Sequence, residues 1–227
     1  WFKLDNTDDK QYIIGSQDSG DKFNLYYENN ALTWHIKNND DNVDYVMNGV
    51  ATGRINADEW TFVAMVYQPN TDGQSDPNLA ALRIFVGDPT SFSPSTTNIT
   101  ESSSSTIGIS PTIRLGADEN GQYPLKGSID NLMIWSSSLR THESNSGNNL
   151  IKQIYDGHNP LIEYDNCTWC YRNSHAIDLE GYWNFNTGYG NVIEDKCCFY
   201  PDDPNGNNDG TKSSDDVRWN IDSVIIP

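Results

Sequence analysis

The sequence predicts an all-β fold: a two-sheet antiparallel sandwich with one short helix and a cysteine-containing C-terminal extension. Three observations carry that expectation. Runs of strand length alternate apolar and polar residues, as Leu32, Trp34 and Ile36 do against Thr33, His35 and Lys37. That period of two is the mark of a half-buried strand. Stretches rich in Asn, Asp, Ser and Gly separate the runs, and these residues suit turns because they tolerate left-handed backbone or hydrogen-bond their own backbone. Only residues 148–156 carry convincing helical spacing. A chain of 227 residues is long enough for one large sandwich, or for one domain plus a satellite.

The elements follow in order. Residues 1–5 read as a strand with Trp1 and Lys3 on one face and Phe2 and Leu4 on the other. Residues 11–16 form a second strand, followed by a Gly/Asp turn at 18–21. Strands at 23–27 and 32–37 flank Asn29-Asn30, a tight hairpin candidate. An acidic loop at 38–42 leads to a short strand at 43–47. His35 falls on the polar face and reads as a surface residue rather than a ligand. Residues 60–67 are a nearly continuous apolar run, which places them mid-sheet. A polar loop with two prolines and a strand at 82–87 come next.

Residues 88–111 are rich in Ser and Thr and hold the sequon Asn98-Ile99-Thr100. The run at 102–106 suits O-glycosylation or a plain flexible loop. Residues 112–116 and 128–135 read as two strands of a hairpin around the acidic turn at 117–124, the second ending in a buried Trp135. The helix at 148–156 has Asn148 or Asn149 as its cap, and Leu150, Ile151, Ile154 and Tyr155 as its apolar face. Gly157 and Pro160 stop it.

The segment Arg114-Leu115-Gly116-Ala117, followed by Leu125-Lys126-Gly127-Ser128-Ile129-Asp130-Asn131-Leu132-Met133-Ile134-Trp135, resembles the closing hairpin of laminin-G-like modules. Those modules belong to the concanavalin A-like jelly-roll group. Residues 59–67 and 82–87 resemble two further strands of the family, in the expected order. The resemblance spans residues 1–157 and implies a jelly-roll sandwich. It leaves function open among lectins, adhesion modules, hydrolases and structural linkers. It also implies a calcium ion at the sandwich rim. By position Asp118 is the leading candidate ligand, with Asp130 or Asn131 behind it; each also reads as a solvated loop residue.

The end of the chain resembles the family's opening. Leu179-Glu180-Gly181-Tyr182-Trp183-Asn184-Phe185, then Asn191-Val192-Ile193-Glu194-Asp195, Asn208-Asp209-Gly210-Thr211 and Val217-Arg218-Trp219 fit strands that precede the Trp1-Phe2-Lys3-Leu4 strand in the family. The order is therefore permuted. A jelly roll without its opening strands leaves a groove and unpaired edges. Residues 179–227 fill that groove in cis, complete a neighbouring copy head-to-tail, or form an independent disulfide-stapled unit. The expected division is a sandwich at 1–160, a cysteine-containing connector at 161–178, and the opening-strand segment at 179–227.

Cys167, Cys170, Cys197 and Cys198 all lie in the last third of the chain. Their spacing admits zinc or disulfides. The vicinal pair is awkward for tetrahedral ligation, and the chain otherwise reads as secreted, which favours disulfides. The expected pairing joins each of Cys167 and Cys170 to one of Cys197 and Cys198, because a vicinal bridge is strained. A second sequon, Asn166-Cys167-Thr168, overlaps the cluster.

The 14 Lys+Arg against 32 Asp+Glu give a net charge of −18. That balance argues against nucleic acid and against an anionic membrane surface, and no apolar run is long enough to insert in a membrane. It fits a soluble extracellular surface able to hold divalent cations. The chain starts at Trp1 with no Met, inside a strand, and so reads as processed or partial. His35, His142, His158 and His175 are scattered, and no nucleophile motif or nucleotide-binding loop is present. The alternating Glu-x-Asp-x-Glu pattern of sandwich glycosidases is absent; Asp178 and Glu180 alone have the spacing of one strand face. Residues 205–210 only partly match an EF-hand-like loop. The expected function is a non-catalytic, secreted structural or adhesive module, a candidate repeating subunit of a filament or surface array assembled head-to-tail, whose partners are copies of itself or neighbouring modules. The alternative is a carbohydrate-binding module, calcium-dependent or not, which would need exposed aromatics on one face.

Overall fold

The computed structural model describes residues 1–16, 22–38, 43–68, 81–88, 91–93, 99–100, 113–135, 150–157, 179–185, 192–193 and 210–211. Over these the chain is mostly β with one short helix and antiparallel sheets, a β-sandwich of jelly-roll type. It divides into two compact units, Phe2–Ser128 and Trp1 with Ile129–Pro227.

In the first unit the strands are β1 (Phe2–Leu4), β2 (Gln11–Ser16), β3 (Lys22–Glu28), β4 (Ala31–Asn38), β5 (Val43–Val50) and β6 (Trp60–Gln68). They continue with β7 (Ala81–Asp88), β8 (Ser91–Ser93), β9 (Ile99–Thr100), β10 (Ile113–Leu115) and β11 (Gly127–Ile129). One sheet has the order β10-β2-β3-β4-β5. The other has the order β11-β1-β6-β7-β8, with β9 also on β7.

Alternation decides which side chains enter the core. Leu25 faces Trp34, Trp34 faces Met47, and Tyr27 faces Leu32 across the five-stranded sheet. All five are essentially inaccessible to solvent. Burying an aliphatic side chain of this size stabilises the fold by about 2 kcal/mol. Phe2, Leu4 and Ile84 are equally buried in the other sheet. There β6 lies between β1 and β7, the interior position that its apolar run demands. Between β3 and β4 the chain reverses through Asn29 (φ 51°) and Asn30 (φ 66°). Two successive left-handed residues make the turn whose twist matches a two-residue hairpin. Tyr27 Oη fixes it by donating to Asn30 Oδ1 at 2.9 Å.

One expectation is corrected. Residues 112–116 and 128–135 are not the two strands of a hairpin. β10 pairs with β2, whereas β11 adjoins β1 in the other sheet, so the 116–126 loop crosses between sheets. Gly127 shows why. A Cβ there would lie 1.9 Å from Lys3 O, so the strand sits on β1 more closely than any other residue allows. The expected single strand also breaks at Asp130 and Asn131, where Asn131 takes a φ of 51°. Trp135, beyond that break, is half-buried rather than buried.

The second unit contains β12 (Leu132–Trp135), α1 (Leu150–Gly157), β13 (Leu179–Trp183), β14 (Val192–Ile193) and β15 (Gly210–Thr211). β12 pairs antiparallel with β13, setting Leu132 opposite Trp183, Met133 opposite Tyr182 and Ile134 opposite Gly181. β14 pairs with β15. Tyr182 Oη donates to Asn131 Oδ1 at 2.8 Å, tying the start of β12 to β13. In α1 the residues Ile151, Ile154 and Tyr155 are buried, while Lys152 and Asp156 form an exposed i,i+4 pair at 2.7 Å. Tyr155 stacks on Trp1 with ring centroids 5.4 Å apart.

Candidate functional site

With Leu25 and Tyr27 turned into the core, Tyr26 between them must face outward. Tyr12 lies opposite Tyr26 on β2, and Thr33 opposite Tyr26 on β4. Asn24, His35 and Val46 form the next outward row, and Lys22, Lys37 and Asp44 the one after. His35 sits on the polar face as expected, with Nε2 2.8 Å from Asp44 Oδ1.

A third tyrosine joins from the loop that follows β10. Tyr12 N–H donates to Tyr123 O at 3.0 Å, which holds the Tyr123 ring near the sheet. Tyr12 stacks on Tyr26 at 4.9 Å and on Tyr123 at 6.2 Å, with interplanar angles of 27° and 26°. Tyr123 is 48% exposed and Val46 39%, the large apolar side chains left open among the described residues. Both belong to this face. Scattered exposed apolar residues mean little, but grouped ones mark a binding surface.

The three rings form an arc around one cation. Lys10 Nζ lies 4.2 Å from the Tyr26 centroid, 5.4 Å from that of Tyr123 and 5.5 Å from that of Tyr12. Glu28 completes the enclosure, its carboxylate 3.5 Å from the same ammonium. Contacts of this kind contribute about 0.5–1 kcal/mol at exposed sites. Burial pushes the Tyr12 phenol well above the usual tyrosine range, and Tyr26, Glu119, Asp118 and Glu28 push it further.

The 116–126 loop is built around Asp118, which is 6% exposed. Its Oδ1 accepts from Asn120 N at 2.9 Å and Gln122 N at 2.6 Å. Its carbonyl accepts from Gly121 N at 3.0 Å. Arg114 Nη1 donates to the same carbonyl at 3.2 Å. Leu125 N closes the loop onto Gly116 O at 2.8 Å. Buried Gln11 anchors its far end, with Oε1 accepting from Lys126 N at 2.8 Å. The loop that carries Tyr123 is thus pinned at both ends and in its middle.

Among the calcium candidates, Asp118 commits one carboxylate oxygen to this turn. Asp130 and Asn131 belong to the other unit. Asn131 Nδ2 donates to Asp130 Oδ2 at 3.3 Å, and burial raises the Asp130 carboxyl above its usual range. Among the described residues no three His, Cys, Asp or Glu side chains gather as a metal cage. Cys167, Cys170, Cys197, Cys198, Asn98, Asn166 and Asp178 lie outside the described residues.

Sequence reasoning missed Tyr12, Tyr26, Tyr123 and Lys10. The signal for Tyr26 was present in the alternation of β3. Tyr123 was hidden, because nothing local to a polar turn says which strand it will reach.

A model of the concanavalin A-like lectin/glucanases superfamily matches residues 1–143 of the chain. No curated protein and no solved structure matches it.

Proposed function

The chain belongs to the concanavalin A-like lectin/glucanases superfamily, and on that premise we propose that it is a non-catalytic, extracellular adhesive module that binds glycan on the outer face of its five-stranded sheet. Membership supports a lectin-like or adhesive module in general. The observation that carries the finer reading is the tyrosine arc with Tyr123 open to solvent. A sugar ring buries its C–H face on an aromatic ring, and the polar groups beside it orient the hydroxyls. The Lys10 ammonium and the Glu28 carboxylate stand next to the arc. The superfamily also contains glucanases by its description; the non-catalytic reading rests on the missing alternating carboxylate pattern.

The remaining parts of the proposal come from the sequence. Asn98 and Asn166 carry glycans, and the four cysteines form two disulfides. A calcium ion sits at Asp118, with Asp130 or Asn131 as the alternative ligand. Calcium should raise the melting temperature of the wild type and leave Asp118→Asn unaffected; equal shifts in both would remove Asp118 from the site.

One further reading has its own observation. β13, the first strand of the segment resembling a module opening, pairs with β12 of the same chain. That pairing is made within one chain, as a two-stranded sheet. The same edge offered by a neighbouring copy would give a head-to-tail array. Light scattering across a concentration series separates the two: a constant monomer supports cis completion, and a ladder of sizes supports the array.

The glycan reading is tested on a panel of immobilised oligosaccharides, with wild type beside Tyr123→Ala. Binding to at least one structure, lost in the variant, is expected. Equal binding by both proteins would move the site off this face.

A further inference from the structure

We propose that the arc of Tyr12, Tyr26 and Tyr123 selects uncharged glycan chains and rejects sulfated or uronic-acid-bearing ones. The inference rests on the reading of this face as a glycan site and specifies the class of ligand. It follows from how charge is arranged around the rings.

An acidic glycan needs cations whose charge is not already matched. Among the described residues, Lys10 and Lys22 each have a carboxylate partner. Lys10 Nζ is held by Glu28 at 3.5 Å and turned onto the rings. Lys22 Nζ is held by Glu119 at 3.6 Å. The Arg114 guanidinium donates to the backbone carbonyl of Asp118 at 3.2 Å, which fixes its position on the loop without cancelling its charge. A sulfate or carboxylate docked over Tyr123 would have to displace Glu28 from Lys10 or sit in the field of Glu28, Glu119 and Asp118. Either route carries a desolvation cost without a compensating pair. At longer range the net charge of −18 repels polyanions at low salt.

An uncharged sugar meets none of these costs. It keeps the Lys10–Glu28 pair intact and uses its ends as donor and acceptor for hydroxyls. The exposed face of Tyr123 gives the apolar contact. Affinity of this kind is set by stacking and neutral hydrogen bonds, so it is nearly independent of salt, whereas polyanion binding falls steeply with salt.

The test is calorimetric titration of the intact chain with two probe sets. The uncharged set is cello-, xylo-, manno- and chito-oligosaccharides; the acidic set is heparin oligosaccharides and oligogalacturonate. At least one uncharged probe is expected to bind, with Kd changing less than about twofold between low and physiological salt. Tyr123→Ala should weaken it about tenfold, and Tyr123→Phe, which keeps the ring, should not. Glu28→Lys with Glu119→Lys should create salt-sensitive heparin binding absent from the wild type. Acidic probes binding the wild type, with loss in Tyr123→Ala, would overturn the selectivity while leaving the glycan site standing. Binding of no probe in either set would overturn the glycan reading and the selectivity with it.

Discussion

Replacing Asp118 by Ala removes the acceptor around which the Tyr123 loop is folded. Its Oδ1 takes two backbone N–H groups, from Asn120 at 2.9 Å and from Gln122 at 2.6 Å. Hydrogen bonds to a charged acceptor are worth about 1.5–3 kcal/mol each, so the pair sets an upper bound near 6 kcal/mol on that principle. Asn120 and Gln122 are themselves exposed, and water can take up their N–H groups once the carboxylate is gone. The expected loss is therefore about 2–3 kcal/mol. Asp118→Asn keeps an oxygen in place but not its charge, and charged hydrogen bonds are about twice as strong as neutral ones. That variant should lose about half as much. Urea unfolding followed by tryptophan fluorescence measures both, with an unchanged m-value showing that the unfolded state is the same. A loss under about 0.5 kcal/mol for Asp118→Ala, the range of ordinary surface changes, would refute the structural role. Equal losses in Ala and Asn would show that the oxygen is not what holds the turn.

Other outcomes follow from single contacts. Asn30→Ala should cost about 2 kcal/mol, because Ala lacks the short polar side chain that lets Asn tolerate left-handed backbone and because the bond to Tyr27 is lost, whereas Asn29→Gly should be neutral or slightly stabilising in the same urea assay. Gly127→Ala should cost about 3 kcal/mol or more, because the added methyl meets the backbone of β1; a smaller loss would mean the strands separate easily. Tyr12 supplies a pH dependence with a definite sign. The unfolded chain loses this phenol's proton near the ordinary value of about 10, while the folded chain holds it to higher pH. The folded state then binds more protons, so stability falls as pH rises past about 10. Tyr12→Phe should flatten that slope, and an unchanged slope would assign it to another group.

Local alternation made most of the first unit legible. In β4 the apolar triplet of Leu32, Trp34 and Ile36 sets the face, and the Asn29-Asn30 turn sets the pairing, without help from distant residues. The partners of residues 127–135 were not legible in this way. Whether Gly127 pairs within a hairpin or against β1 depends on the carbonyl of Lys3, far away in sequence. The same limit governs the binding face. Tyr12 and Tyr26 become neighbours by register, and Tyr123 reaches them only because Gln11 and Asp118 pin its loop. The acidic character of the chain was plain from composition, but composition could not show that Lys10 and Lys22 are already paired with Glu28 and Glu119.

On the proposed reading, ligand binds on the outer face of the five-stranded sheet, at the tyrosine arc. The most direct measurement is a nuclear magnetic resonance titration of the assigned chain with whichever oligosaccharide of the panel binds. Amide shifts are expected to cluster around Lys10, Tyr12, Tyr26, Glu28, Thr33 and Tyr123, and the arc's ring resonances to move with them. Shifts gathered elsewhere, with the tyrosine arc unmoved at saturation, would contradict it.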